Sequence, residues 1–175
     1  MSLNKAIACM KEIGFKPKLN SFEKRLIMQK TIFLLEQKGI NMNFEYSLYI
    51  RGPYSPSLTA EMYQNQKMIE ELQTTEKLSA QEKEKISEFK DIFGELKPSI
   101  LEVASTYAYF AYKQKQNPLD ATKHVKEMKN FCTETQIALG VSKTKQFLYQ
   151  PTKQEINEMK KEHAAWENTE ANFLE

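Results

Sequence analysis

A mainly α fold, a multi-helix domain with a few short β-strands, is predicted by three observations. Glycine and proline are sparse, five and six in 175 residues, which disfavours a turn-rich all-β chain. Apolar residues recur at helical spacing along most of the length. Ser, Thr or Asn ahead of such a run and Gly or Pro at its end punctuate the chain repeatedly. A hydrophobic content of 41% and an aromatic content of 11% suffice for a packed core.

The first helix is expected over about Leu3 to Ile13, with Leu3, Ala6, Ile7 and Met10 inward and Gly14 ending it. After a loop containing Pro17, a second helix is expected from Phe22 to Lys38, with Ser21 as N-cap and Gly39 just beyond. Its apolar residues, from Phe22 and Leu26 to Leu34 and Leu35, cover most of the wheel. Only a narrow face near Arg25, Gln29 and Glu36 is polar, as expected of a central helix.

A strand is expected from Phe44 to Ile50, with Tyr46, Leu48 and Ile50 on its buried face. Gly52-Pro53 predicts the tight turn that follows. Ser55 then caps a third helix over Pro56 to about Gln66. Residues 67–79 fit either a helical extension or a short hairpin through Thr74-Thr75-Glu76.

Ser79-Ala80-Gln81-Glu82 is a capping box opening a charged helix to about Leu96, with Ile86, Phe89 and Phe93 inward. Pro98 breaks or kinks it. A fifth helix is expected from Ser99 to Gln114, where Leu101, Ala104, Ala108 and Ala111 allow close packing. Asn117-Pro118 opens a helix to about Phe131, and a short one covers Thr133 to Leu139 with Gly140 as C-cap. Ser142 to Tyr149 adds a further turn. Thr152-Lys153-Gln154-Glu155 is a second capping box, starting a polar helix to Trp166 and then a frayed tail. The organisation read here is one helical domain over 1–150, followed by a C-terminal helix and tail over 151–175.

Function classes narrow by elimination. No stretch reaches the roughly 18 apolar residues of a membrane span. The longest apolar run, Ile100 to Tyr112, is interrupted by Glu102, Ser105 and Thr106. Two widely separated cysteines, Cys9 and Cys132, fit reduced thiols in a cytoplasmic protein. His124, Cys132 and His163 lack short ligand spacing, so no metal site or cofactor is expected. No phosphate-loop, dinucleotide or zincin motif is present. His124 lies two helical turns from Cys132, too far for a nucleophile and its base, so the chain reads as non-enzymatic.

Only two of the 25 basic residues are arginines, Arg25 and Arg51, on a surface dominated by lysine and glutamate. Arginine offers bidentate recognition that lysine cannot. Arg51 lies in the stretch Tyr49-Ile50-Arg51-Gly52-Pro53-Tyr54-Ser55, where a stiff bend groups a cation with phenols. Tyr49, Arg51, Tyr54, Ser55 and Arg25 are therefore the candidate partner-binding residues. Two readings stay open for them. One is a recognition corner of the residue types enriched at interaction hot spots. The other is a structural corner, with the rings packed inward and Arg51 paired to a glutamate. Nucleic acid is the alternative partner, since residues 16–38 carry six cations against Glu23 and Glu36. Glu61 and the lack of arginine make the third helix a poor groove reader.

Three segments resemble those of YwgA-type proteins and, more distantly, the Panacea domain of SocA-like antitoxins. These are Leu26 to Leu35, the run Tyr49-Ile50-Arg51-Gly52-Pro53-Tyr54-Ser55-Pro56-Ser57-Leu58, and the helix Leu101 to Phe110. The resemblance implies a winged-helix-like core. It further implies an antitoxin-like function, in which the domain neutralises a toxin or delivers a protein partner through protein–protein contact. The segment standing where a wing would be, Met68 to Leu78, is short, lacks glycine and is rich in glutamate. That composition argues against the alternative of a winged-helix DNA-binding transcriptional regulator.

Overall fold

The computed structural model describes residues 2–150. Eight α-helices and one two-stranded sheet lie among the described residues: α1 (Leu3–Ile13), α2 (Phe22–Gln37), β1 (Ser47–Tyr49), β2 (Gly52–Tyr54), α3 (Pro56–Gln64), α4 (Gln66–Glu70), α5 (Ala80–Phe93), α6 (Pro98–Ala108), α7 (Pro118–Met128) and α8 (Glu134–Leu148). The fold is mainly α, as the cap signals predict. The Thr152 capping box and the helix expected after it lie outside the described residues.

Local chemistry sets most boundaries. The Ser21, Ser55 and Ser79 hydroxyls accept from the amides of Lys24, Leu58 and Glu82, satisfying helix N-termini that would otherwise be orphaned. Glu82 returns a bond to the Ser79 amide at 2.8 Å and completes the capping box. Pro98 does not kink a continuous helix. It occupies the first turn of α6, where a missing N–H costs nothing, and α5 has already ended at Phe93.

α2 is the centre of the molecule. Every residue from Leu26 to Leu35 is buried, including Gln29, Lys30 and Thr31. Its apolar side chains join α1, α5 and α6 in the main core, where Phe89, Phe93 and Phe147 pack as a ring cluster with centroids 4.7–5.8 Å apart. A second cluster, including Val103, Tyr107, Val125 and Ile137, joins α6 to α7 and α8.

Several expectations are corrected. The expected strand from Phe44 is only Ser47–Tyr49, because the Met42 and Phe44 amides bond to Glu36 Oε1 and hold the preceding chain against α2. A second strand, β2, pairs with it antiparallel in the register Ser47 to Tyr54, Leu48 to Pro53 and Tyr49 to Gly52. The turn is therefore Ile50-Arg51, not Gly52-Pro53. Ile50 sits at its tip and is 87% exposed, where burial was expected. Residues 67–79 do not form a hairpin. α3 stops at Gln64, Gln66–Glu70 makes the short α4, and the chain from Gln73 runs irregularly beside α1, where Thr74 Oγ1 donates to Asn4 O. Leu72, at φ 51°, ends the helical path.

The fifth helix leaves α geometry at Tyr109, and Tyr109–Lys113 is a π-helical turn that lets Lys113 Nζ donate to Tyr46 O. α7 ends at Met128 rather than Phe131. Gly140 does not cap a short helix. α8 runs through it, and the glycine permits contact with α6: a Cβ there would lie 2.5 Å from Val103 Cγ1. Thr144 Oγ1 donates to Ala104 O across the same interface.

Candidate functional site

The β1–β2 hairpin lies between the N-terminal half of α2, α3 and α6. Its turn has two residues, neither with positive φ, followed by Gly52 at φ 87°. A left-handed glycine after a two-residue bend is a recurrent way to close a hairpin. Two long polar side chains of α2 hold the hairpin end down. Gln29 pairs with the Ser55 backbone, donating to its carbonyl at 2.9 Å and accepting from its amide at 3.1 Å. It also donates to Thr59 Oγ1 at 2.8 Å. Lys30 Nζ donates to Pro53 O at 2.6 Å. The polar face expected on α2 is thus partly internal. It satisfies the backbone groups of the hairpin exit, which burial would otherwise leave costly.

Around this anchor lies a pocket of about 350 Å³. Arg25, Lys30 and Arg51 line it together with the rings of Phe22, Tyr49, Tyr54 and Tyr63. Among the described residues no Asp or Glu lines it. The guanidinium of Arg25 lies 6.0 Å from the Phe22 ring centroid and 5.9 Å from that of Tyr63. That of Arg51 lies 5.2 Å from the Phe22 centroid. Tyr49 and Tyr54 meet edge to face at 5.1 Å. Phe22, Tyr49 and Tyr63 are 56%, 51% and 62% exposed, so large apolar area surrounds fixed cations at one open place.

Beneath the pocket is a buried ionic cluster. Glu102 Oε1 of α6 lies 3.4 Å from Arg51 Nη1 and 3.8 Å from Lys129 Nζ. Glu102, Lys129 and Lys30 are all buried, whereas Arg51 is largely exposed. One carboxylate therefore faces two cations directly, with Lys30 nearby. Burial, reinforced by Lys129 and offset in part by Glu102, lowers the Lys30 ammonium to about 7. Burial also lowers Lys129, against the opposing pull of Glu102.

The sign of the stability effect follows. Folding holds fewer protons on Lys30 than the unfolded chain does between pH 7 and its ordinary value of 10.5. Stability from this group is fully present above the unfolded value and is lost as pH falls through about 7. We expect the urea midpoint of the native chain to rise with pH across this window, and that of Lys30→Met to rise less. Parallel midpoint curves for the two proteins would show that Lys30 carries no such linkage.

Of the residues singled out in sequence, Tyr49, Arg51, Tyr54 and Arg25 converge on the pocket. Ser55 does not belong with them as a partner contact. It is wholly buried, and its hydroxyl accepts from the Leu58 amide as the α3 cap. Arg51 pairs with a glutamate, as the structural reading expects, while its side chain stays largely exposed. Sequence reasoning missed Phe22, Tyr63, Lys30, Glu102 and Lys129. The available signal was Glu102, a lone carboxylate inside an apolar helix, which implies an internal cation. His124 and Cys132 form no pair. His124 Nδ1 lies 2.8 Å from Gln116 Oε1, and burial raises the Cys132 thiol. Both cysteines are free, Cys9 being buried and raised to about 12. No described helix is long and apolar enough to cross a membrane.

No family model matches the chain, and neither a curated protein nor a solved structure does.

Proposed function

We propose that this chain is a non-enzymatic protein-interaction module that holds a partner at the hairpin corner through Arg25, Tyr49, Arg51 and Tyr54. The observation carrying this reading is the open pocket in which two arginines stand among exposed aromatic rings. Arginine and tyrosine are enriched among the few residues that dominate binding energy at protein interfaces: the aromatic ring buries much area with few rotors, and the guanidinium offers a planar fork of directed donors. The edges of this site are already ordered by Gln29 and Lys30, so little conformational entropy is left to lose on docking. An antitoxin-like role in the cytoplasm, with a toxin as the protein partner, is the specific form we favour. It rests on the resemblance of the Tyr49–Leu58 segment to SocA-like proteins. A DNA-binding role draws less support from the geometry. Of the six cations between residues 16 and 38, Lys30 is buried and Lys38 is paired with Glu88 at 2.8 Å.

The test is affinity capture from the native host with the full chain as bait. The double variant Arg51→Ala/Tyr54→Ala is expected to lose the partners that the native chain retains. Exposed Leu139, remote on α8, supplies the control Leu139→Ala, which should capture them all. A double variant that retains every partner would remove the proposal.

A further inference from the structure

The pocket interleaves charge and rings at short range. Arg51 and Arg25 stand 5.2 and 6.0 Å from the Phe22 centroid, and Arg25 stands 5.9 Å from that of Tyr63. The cations are not equally engaged. Lys30 is spent, being buried with Nζ donating to Pro53 O at 2.6 Å. Arg25 Nη1 donates to Leu19 O, a neutral acceptor that leaves the positive charge uncancelled. Arg51 Nη1 makes only long bonds to Glu102, of 3.4 and 3.5 Å, and its side chain is 55% exposed. A guanidinium carries several N–H donors in one planar fork, so both arginines keep donors for a second acceptor. The lining supplies no carboxylate to them among the described residues.

A ligand that completes this site brings an anion, and the rings of Phe22, Tyr49, Tyr54 and Tyr63 call for an aromatic group beside it. A volume of about 350 Å³ is at the small end of ligand sites (roughly 300–1,000 Å³), room for one large residue rather than a helix. Cation and ring stand within 6.0 Å of each other in the site, so the ligand must join its charge and its ring as closely. An acidic neighbour in an extended peptide does not: its side chain points to the opposite face, and the next residue on the same face is about 7 Å along. A C-terminal aromatic residue does, because its ring and its α-carboxylate hang from one Cα.

We infer that the pocket receives the C-terminal residue of the partner protein, an aromatic one, with its ring against Phe22 and Tyr63 and its α-carboxylate on the Arg25 guanidinium. Arg51 adds a second positive charge beside the same ring. The inference rests on the proposed docking role of the corner and deepens it by naming what the partner presents. A fork of donors on a carboxylate makes short, charge-assisted bonds that fix the orientation of the chain end as well as holding it.

The probe is the peptide Gly-Ser-Gly-Ser-Phe, labelled with fluorescein at its N-terminus and titrated with the full chain by fluorescence anisotropy. The free acid should bind the native protein about tenfold or more tighter than the C-terminal amide, the worth of one charge-assisted bond. The same peptide ending in alanine should bind several times more weakly than the phenylalanine form. Arg25→Gln leaves the Glu102 cluster intact and should lose affinity for the acid but not for the amide, so that the ratio falls towards one. Tyr63→Ala should weaken acid and amide alike and keep the ratio. Both variants should keep the native far-UV circular dichroism, and Leu139→Ala should bind as the native chain does. The ratio in the native chain needs no variant, so the test stands even if a variant fails to fold. Equal affinity for acid and amide overturns the inference, as does no binding of the acid at millimolar protein or a ratio unmoved by Arg25→Gln. Free 3-phenylpropionate should displace the labelled peptide only at higher concentration than unlabelled peptide does. Displacement at equal or lower concentration would assign the site to a free aromatic acid and overturn the chain-end assignment. Peptide binding that leaves partner capture unblocked would defeat the docking role alone. Capture lost in Arg51→Ala/Tyr54→Ala with no peptide binding would defeat the chain end alone.

Discussion

Glu102→Gln is expected to lower folding stability by about 3–5 kcal/mol, the usual cost of breaking a buried ion pair from one side. Glu102 is the carboxylate that faces Lys129 at 3.8 Å, and Lys129 has no exposed surface. Glutamine keeps the shape and removes the charge, so the Lys129 ammonium is left without a counter-ion in a poorly solvated place. A long bond to Ile50 O at 3.5 Å is then its remaining polar partner, and shedding its proton costs free energy at neutral pH. The measurement is urea unfolding at pH 7, read as a fall in midpoint with unchanged slope. Adding Lys129→Met to Glu102→Gln should recover most of the loss, since the stranded charge is then gone. If Glu102→Gln unfolds with the native midpoint, the cluster holds nothing together. The same variant should free the Arg51 guanidinium from its long contact, loosening the corner that the proposed partner uses.

Helix starts were legible because they depend on neighbours in sequence. A serine hydroxyl bonds an amide three residues on, and a proline needs only a first turn, so Ser21, Ser55, Ser79 and Pro98 announce themselves. The errors fall where a distant element decides. Gly140 has the look of a cap, yet the helix continues and the missing side chain serves contact with Val103, 37 positions earlier in the sequence. Pro53 discourages a strand assignment because it lacks an N–H, yet it pairs with Leu48 in a two-stranded ribbon whose outer edges need no donor from it. Ile50 fits the buried face by alternation, but a two-residue turn begins there and places it at the tip.

The site was half legible for the same reason. Arg51 and its tyrosines are contiguous, and their density marks the corner. Phe22 and Tyr63 have the spacing of helix core residues, and periodicity alone cannot reveal that α2 begins and α3 ends at an open surface. Lys30 and Gln29 looked like solvent-facing positions. They are buried because the hairpin exit presents Pro53 and Ser55 backbone groups that need partners there. A polar residue on an otherwise apolar helix is thus ambiguous in sequence, and only the facing backbone resolves it.

Gly52→Ala should be the most disruptive single methyl addition in the hairpin. Two separate costs coincide at this residue. Its φ of 87° is left-handed, where a Cβ adds about 1–2 kcal/mol. The added Cβ would also lie 2.3 Å from Thr106 Oγ1, well inside contact distance, so the hairpin must lift from α6 or Thr106 must turn away. Thr106 cannot turn freely, because Oγ1 donates to Glu102 O at 2.7 Å and the side chain is fully buried. The sum is expected at roughly 3 kcal/mol or more, within the range of strained or overpacked core positions. A double-mutant cycle separates the terms. Thr106→Ala removes the clashing oxygen and leaves the next atom, Thr106 Cβ, at 3.5 Å, ordinary contact distance. Gly52→Ala/Thr106→Ala should therefore be more stable than Gly52→Ala alone, retaining only the backbone strain and the loss of one hydrogen bond. Additive costs would show that close approach to α6 is not what requires a glycine. If the hairpin lifts, Arg51 leaves Glu102 and Tyr49 leaves the pocket rim, so Gly52→Ala should also weaken partner capture while Thr106→Ala alone leaves it near the native level. The two readouts moving together would tie the left-handed residue under the corner to what the corner holds.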